Sequence, residues 1–391
     1  MRGSIAQIII YLASGSLIGL VSWGNGIEFT ILSSLIFLAY LLIPKRLNLL
    51  FFMLGYYLLG SKGLLIGSIS YYNHISSGLI SWFAQAFVVS IMWVIIWSPS
   101  QKRRYYLFVL VLLIHILPPV GFVSLLNPLP SAGLIFPNFG FFGMLLLLMS
   151  IYLLAFFITK IKKDKYTAIN LSVSFFILLI VLFQISNAKV KYDTDIKSVE
   201  TAFKYNPEEV DILKDYIRVS KYFNIANNAK ENSILLPENA LGFYMQSQKV
   251  VWDDLKKSKR VYAGAYITND ENLSYSNVLL SIDSNSTKTL YRQRVPILIA
   301  MWQPFTSQGA SATIYEDPVV PIDGKNTGVF ICYEQFVTYL YMQTMFFKPQ
   351  RLFGISNIYW AKNTNIENMQ KEIMGLYGLL FDIPIAYSVN R

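Results

Sequence analysis

The sequence predicts two units of different kinds, a multi-pass α-helical membrane domain over residues 1–187 and an α/β domain over residues 188–391. Three observations carry this. At 391 residues and 54% hydrophobic, with a mean hydropathy of +0.43, the chain is too apolar for one soluble domain and long enough for two. The net charge of +10 is uneven: eleven basic and two acidic residues precede about residue 187, which leaves the second half near +1. Past that point, long apolar runs give way to short strand-like runs alternating with amphipathic stretches. So even a balance leaves no basic face for nucleic acid. No phosphate loop, Rossmann glycine pattern or Cys-x-x-Cys pair occurs, and no cofactor is expected.

Apolar stretches of roughly spanning length lie near residues 5–23, 27–43, 47–60, 79–97, 105–126, 139–159 and 167–186, about seven helices. The first reads as an anchor rather than a cleaved signal, given its length and the similar helices that follow. The third breaks at Gly60-Ser-Lys62-Gly, and Leu64 to Tyr72 either extends it or re-enters. Lys45-Arg46, Lys102-Arg-Arg104 and the Lys160 to Lys165 cluster follow the second, fourth and sixth spans, whereas the alternate loops carry almost only Lys62. The positive-inside bias makes the N-terminus and those loops cytoplasmic. An odd number of spans then places everything after Ala188 outside the cytoplasm of a bacterial inner membrane. Trp23, Trp82, Trp93 and Trp97 fall near span ends, as interfacial anchors do, although scattered core tryptophans would look similar. The uncharged stretch from Leu117 to Asn138 holds five prolines and cannot be helical throughout. It reads either as a lipid-facing lid beside the site or as an apolar connector on the headgroups.

In the second half, residues 207–229 place Val210, Leu213, Ile217 and Tyr222 at helical spacing. A strand runs into Glu238, followed by a helix at 246–257, strands at 260–268 and 276–283, a turn at 283–287 and a strand through Tyr291. After a strand into Cys332 come a helix to about Phe347, a strand at 352–358, a helix at 365–380 and a strand at 383–389. The helix at 365–380 is neither long nor apolar enough to cross a bilayer, so the chain is expected to end outside.

Residues 327–336, Thr-Gly-Val-Phe-Ile-Cys-Tyr-Glu-Gln-Phe, form an apolar β-type run that meets the only cysteine, Cys332. A thiol where a buried strand stops is a rigid place for a nucleophile, although a free buried cysteine also serves as a small hydrophobe. One cysteine forms no intrachain disulfide. Both histidines, His74 and His115, lie in the first half, which excludes a Cys–His dyad or a His-based zinc site beside Cys332. Its base must then be a carboxylate. The best placed is Glu238, at the end of the strand in Ser233-Ile-Leu-Leu-Pro-Glu-Asn-Ala-Leu241.

Leu-Pro-Glu-Asn-Ala-Leu (236–241), Tyr-Arg-Gln-Arg-Val-Pro (291–296), Gly-Val-Phe-Ile-Cys-Tyr-Glu (328–334) and Ser-Asn-Ile-Tyr-Trp (356–360) resemble, in order and rough spacing, the carbon-nitrogen hydrolase (nitrilase) superfamily over most of residues 190–391. With a membrane half in front, and with Met-Trp-Gln-Pro at 301–304, the chain is similar to the apolipoprotein N-acyltransferase branch and most closely to the conjugal-transfer TraB family. The resemblance implies a four-layer αββα sandwich with the site at one end of the sheets. It implies that Cys332 forms a thioester acyl enzyme, with Glu238 as general acid and base. It also implies a lysine for the oxyanion, two residues after a tyrosine like Tyr291. That position holds Gln293, between Arg292 and Arg294, and Arg294 is the expected substitute. Glu334 either assists the nucleophile or makes a structural salt bridge, the Tyr333 N–H is an oxyanion donor, and Asn357 and Trp360 shape the pocket. The expected function is a thiol-dependent N-acyltransferase or amidase acting on a membrane lipid or a lipoprotein or membrane-protein substrate, with a role in conjugative transfer. An inactive scaffold is the alternative. A transporter would want more ionisable residues inside its spans than Lys62 and His115.

Overall fold

The computed structural model describes residues 2–161, 187, 189–203, 212–268, 274–306 and 308–391. The expected span at 167–186, Lys162, Lys163 and Lys165 of the third basic cluster, and Val210 lie outside these residues. Contacts divide the chain into Met1–Lys191 with Asn363–Ile383, and Tyr192–Lys362 with Pro384–Arg391. The helix Ile366–Phe381, read from the sequence as part of the second domain, thus groups with the first.

The first unit is helical: α1 (Arg2–Ser22), a 3-10 turn continuing into α2 (Leu35–Leu42), α3 (Arg46–Gly60), α4 (Lys62–Tyr72), α5 (Ile75–Ile95), α6 (Gln101–Ile116), the short α7 (Val120–Val123) and α8 (Ala132–Ile135), and α9 (Gly140–Ile161). Ile5–Ser22, Ile75–Ile95 and Gly140–Lys160 are long and apolar enough to cross a membrane. The doubtful third span is a bent pair: α4 continues α3 after a 55° turn. α1 and α3 touch backbone to backbone, since a Cβ at Gly15, Gly19 or Gly55 would collide with the carbonyl of Phe52, Tyr56 or Leu12 respectively. Gly15 and Gly19 sit one turn apart, the small-residue spacing that lets apolar helices approach closely.

For three of the four tryptophans the structure selects the core reading over that of interfacial anchors. Trp23, Trp93 and Trp97 are buried, and Trp23 and Trp93 donate to the hydroxyls of Tyr56 and Tyr57, both at 2.9 Å. They are core residues whose indole N–H groups found partners. Two of the basic clusters converge on Trp97: Arg46 donates to its carbonyl at 2.9 Å, and Arg104, which also bonds the Ile43 carbonyl, lies 5.4 Å from its ring. α6 stops at Ile116 because Pro118 and Pro119 bring no N–H. The proline-rich stretch beyond is folded in, with Leu125, Leu126, Leu129 and Leu134 buried. Leu134 packs on Leu376 and Leu379, and the Asn138 N–H bonds the Leu379 carbonyl at 2.9 Å.

The second unit holds two sheets. One has the order β1 (Ile196–Ser198), β3 (Ser233–Leu235), β4 (Arg260–Thr268), β5 (Ser274–Ile282), β6 (Thr287–Arg292), with β7 (Gly309–Ala310) also on β5. The other runs β2 (Glu200–Thr201), β11 (Ile385–Asn390), β10 (Arg351–Asn357), β9 (Lys325–Ile331), β8 (Val319–Ile322). Leu235, Tyr262 and Leu279 of the first meet Val329, Ile331 and Phe353 of the second in one core. The outer face of the first sheet packs on α10 (Ile212–Asn228) and α11 (Lys249–Asp253) through Val219, Tyr222 and Trp252. On the second sheet, Tyr341 of α12 (Thr338–Phe346) stacks on Phe330 at 4.0 Å. The layers are therefore α, β, β, α. β3, β9, β10 and β11 deliver their C-terminal ends to Glu238, Cys332, Asn357 and Asn390, so the site stands where parallel strands stop.

Candidate active site

β9 ends at Ile331, and Cys332 opens a 3-10 turn, Cys332–Phe336, with φ +49°. A non-glycine residue in that region is held there by its surroundings. Glu334, fully buried, does the holding. Its Oε2 accepts the Ile331 N–H at 2.7 Å, and its Oε1 accepts the Arg294 N–H at 2.7 Å and the Val295 N–H at 3.3 Å. The Tyr291 hydroxyl donates to the same carboxylate at 2.9 Å. Two segments are tied to one side chain, one carrying the thiol and the other Gln293. Gln335 fixes the turn from the opposite side by donating to the Phe330 and Ile355 carbonyls at 3.3 and 3.1 Å.

Glu238 follows β3 through Leu236 and Pro237. Gly264 on β4 makes room for it, because a Cβ there would lie 2.5 Å from the Glu238 Cα. The carboxylate accepts from Asn277 Nδ2 at 2.7 Å and from the Asn357 N–H at 2.8 Å, and it shares a hydrogen bond with the Cys332 thiol. Burial pushes Glu238 up to about 7; its hydrogen bonds oppose this and the Glu334 charge adds to it. Burial and the neighbouring Glu238 carboxylate hold the Cys332 thiol well above its ordinary value, while the N–H groups of Tyr333 and Asn357 at the sulfur favour the thiolate. The thiol is thus protonated at rest beside a carboxylate that titrates near neutrality, an arrangement suited to removing the proton during attack.

The structure brings Cys332, Glu238, Asn357 and the Tyr333 N–H together. Arg294 has other partners: fully buried, it donates to Tyr291 Oη at 2.8 Å, Gln343 Oε1 at 2.8 Å and Thr344 Oγ1 at 3.1 Å, and its Nε lies 4.0 Å from Glu334. These bonds engage the guanidinium expected at the oxyanion with α12 and the Glu334 carboxylate. Arg292 is half exposed, bonding Ser276 Oγ at 3.1 Å near Glu316. Strand pairing is irregular at Leu279/Leu280 and β6 ends at Arg292, so the two arginines do not share a face. Trp360 donates to the Asn357 carbonyl at 2.9 Å and buttresses the loop carrying the Asn357 N–H. Sequence reasoning missed Asn277. Its signal was its phase in β5, since at two residues from inward-facing Leu279 it falls on the same face of the strand.

A thiol, the carboxylate it bonds and a second buried carboxylate thus stand together at the ends of two stacked sheets. Among known proteins, the chain is similar to the probable conjugal transfer protein TraB of Sinorhizobium fredii, 25% identical over 86% of this chain and 86% of that protein. It is likewise similar to the conjugal transfer protein TraB of Agrobacterium fabrum, 27% identical over 86% and 82%. Among solved structures it is similar to an amidase of the nitrilase superfamily from Nesterenkonia AN1, 11% identical with a TM-score of 0.35 over 50% of this chain and 74% of that one. A carbon-nitrogen hydrolase from Helicobacter pylori G27 is 13% identical, with a TM-score of 0.38 over 50% and 72%. No family model matches.

Proposed function

We propose that the chain is a membrane-bound, thiol-dependent acyltransferase or amidase working at the outer face of the inner membrane, in the service of conjugative transfer. The observation that carries the reading is the hydrogen bond between the Cys332 thiol and a buried Glu238 carboxylate, with the Tyr333 and Asn357 N–H groups at the sulfur. Glu238 takes the thiol proton as the sulfur attacks the acyl carbon. The oxyanion forms beside those N–H groups, and collapse breaks the bond to the leaving group, which departs with the proton from Glu238. The resulting thioester passes its acyl group to an amine or to water that Glu238 deprotonates. The apolar helices favour a lipid or a membrane-protein N-terminus as substrate, and the TraB relatives suggest the process. The test is acyl transfer or release by the purified protein from membrane-lipid vesicles and from simple amides. Cys332→Ala and Glu238→Gln should each abolish it, and full activity in either variant would eliminate the mechanism.

The scaffold reading draws on one observation, Gln293 in the position where the resemblance implies a lysine. The same assay separates the two, because a scaffold turns over no substrate.

A further inference from the structure

Two neutral amides link the strand of the nucleophile to the acid, and their direction is set from one end. The Ile331 carbonyl can only accept, so Gln293 turns Nε2 toward it at 3.0 Å. Gln293 therefore presents Oε1 to Asn277, whose Nδ2 donates to it at 3.1 Å. The second hydrogen on that nitrogen goes to Glu238 Oε1 at 2.7 Å. Asn277, Gln293 and Glu238 are 0%, 1% and 4% exposed, so water is not at hand to substitute for these bonds. Asn277 Oδ1 has no hydrogen-bond partner among the described residues. The amide bears that loss rather than flip, because flipping would set its oxygen against both Gln293 Oε1 and Glu238 Oε1. Flipping Gln293 would set its oxygen against the Ile331 carbonyl.

We propose that Ile331, Gln293 and Asn277 form a one-way hydrogen-bond relay that begins at the residue before the nucleophile and keeps Glu238 ionised and able to accept the thiol proton. Gln293 and Asn277 are then positioning residues. The inference rests on the reading of Glu238 as the base of Cys332. The titratable groups acting on Glu238 are Cys332, which hydrogen-bonds it, and Glu334, whose charge opposes its ionisation and which is itself held by Tyr291 and Arg294. The relay opposes burial and Glu334 by dipoles alone, so its effect needs both ends of Gln293.

The experiment follows alkylation of Cys332 by iodoacetamide across pH, read by intact mass on the full chain in lipid nanodiscs. Wild type should show a rise in rate near pH 7, the value to which burial pushes Glu238, and Glu238→Gln should lose it. Asn277→Leu should move that rise upward by about one to two pH units, the worth of one hydrogen bond to a charged group, and alkylate roughly tenfold more slowly at neutral pH. Gln293→Met, which acts on Glu238 only through Asn277, should move the rise the same way by a smaller amount. Gln293→Asn, too short to span both partners, should behave alike and serves if the methionine variant does not fold. An unmoved rise in these variants, with Glu238→Gln still abolishing it, overturns the relay and leaves the base in place. A wild-type profile without the rise, or a rise that survives in Glu238→Gln, overturns the base and the relay with it.

Discussion

Glu238 and Glu334 are both buried carboxylates, and their partners divide the labour between them. Glu334 is saturated with donors from Ile331, Arg294, Val295 and Tyr291, so it shapes backbone. Glu238 has two N–H donors and a thiol, which leaves it able to exchange a proton. A carboxyl raised to about 7 in the fold contributes full stability below its unfolded value and loses it as pH climbs through 7. Wild type should therefore lose up to about 3 kcal/mol between pH 4 and 8 through this group, and thermal melts should show a smaller loss in Glu238→Gln. Activity should run the other way, rising with pH through 7, because the base works only when ionised. Arg294→Ala should act on stability: it strips a buried carboxylate of its countercharge, at a cost of about 3–5 kcal/mol. Arg294→Lys should restore little, since a lysine lacks the fork that reaches Gln343 and Thr344. An Arg294→Ala protein that melts like wild type but has lost turnover would return Arg294 to the oxyanion.

Among the elements, those with strong periodicity were legible in the sequence. The strand expected at 260–268 is β4, that at 352–358 is β10 shifted by one residue, and the helix expected at 365–380 spans Ile366–Phe381. Cys332 and Glu238 were legible because each ends an apolar strand. β1, β2, β7 and β8 were not, being two to four residues long and defined by partners far away in sequence. The shared face expected for Arg292 and Arg294 was not met, because the alternation rule assumes a regular strand and β6 has already ended at Arg292. The grouping of Ile366–Phe381 with the helical unit was also hidden, because its amphipathic pattern names a buried face without naming the surface it meets. Glu372 on that helix accepts the Gly24 and Gly26 N–H groups at 2.7 and 2.8 Å. Glu372→Ala should leave both donors unpaired and lower the melting temperature in detergent, whereas Glu367→Ala, at the helix start, should change it little. The α1 and α3 contact predicts that Gly19→Leu abolishes accumulation of folded protein, because the Tyr56 backbone occupies the space a side chain needs.

At the scale of the whole molecule, the basic residues Arg46 and Arg104 meet at Trp97. The proposed place of work at the outer face of the membrane predicts that a reporter fused after Arg391 is active only when it requires the periplasm; a cytoplasm-only reporter that works there would reverse the orientation. The central claim is that a membrane-anchored α/β unit carries acyl groups on Cys332. The most direct measurement is intact-mass analysis with peptide mapping of the protein incubated with bacterial membrane lipids. An acyl adduct on the Cys332 peptide, absent from Cys332→Ala and diminished in Glu238→Gln, is the predicted result. A folded protein that stays unmodified across lipids and amides, with a thiol no more reactive than that of Glu238→Gln, would contradict it.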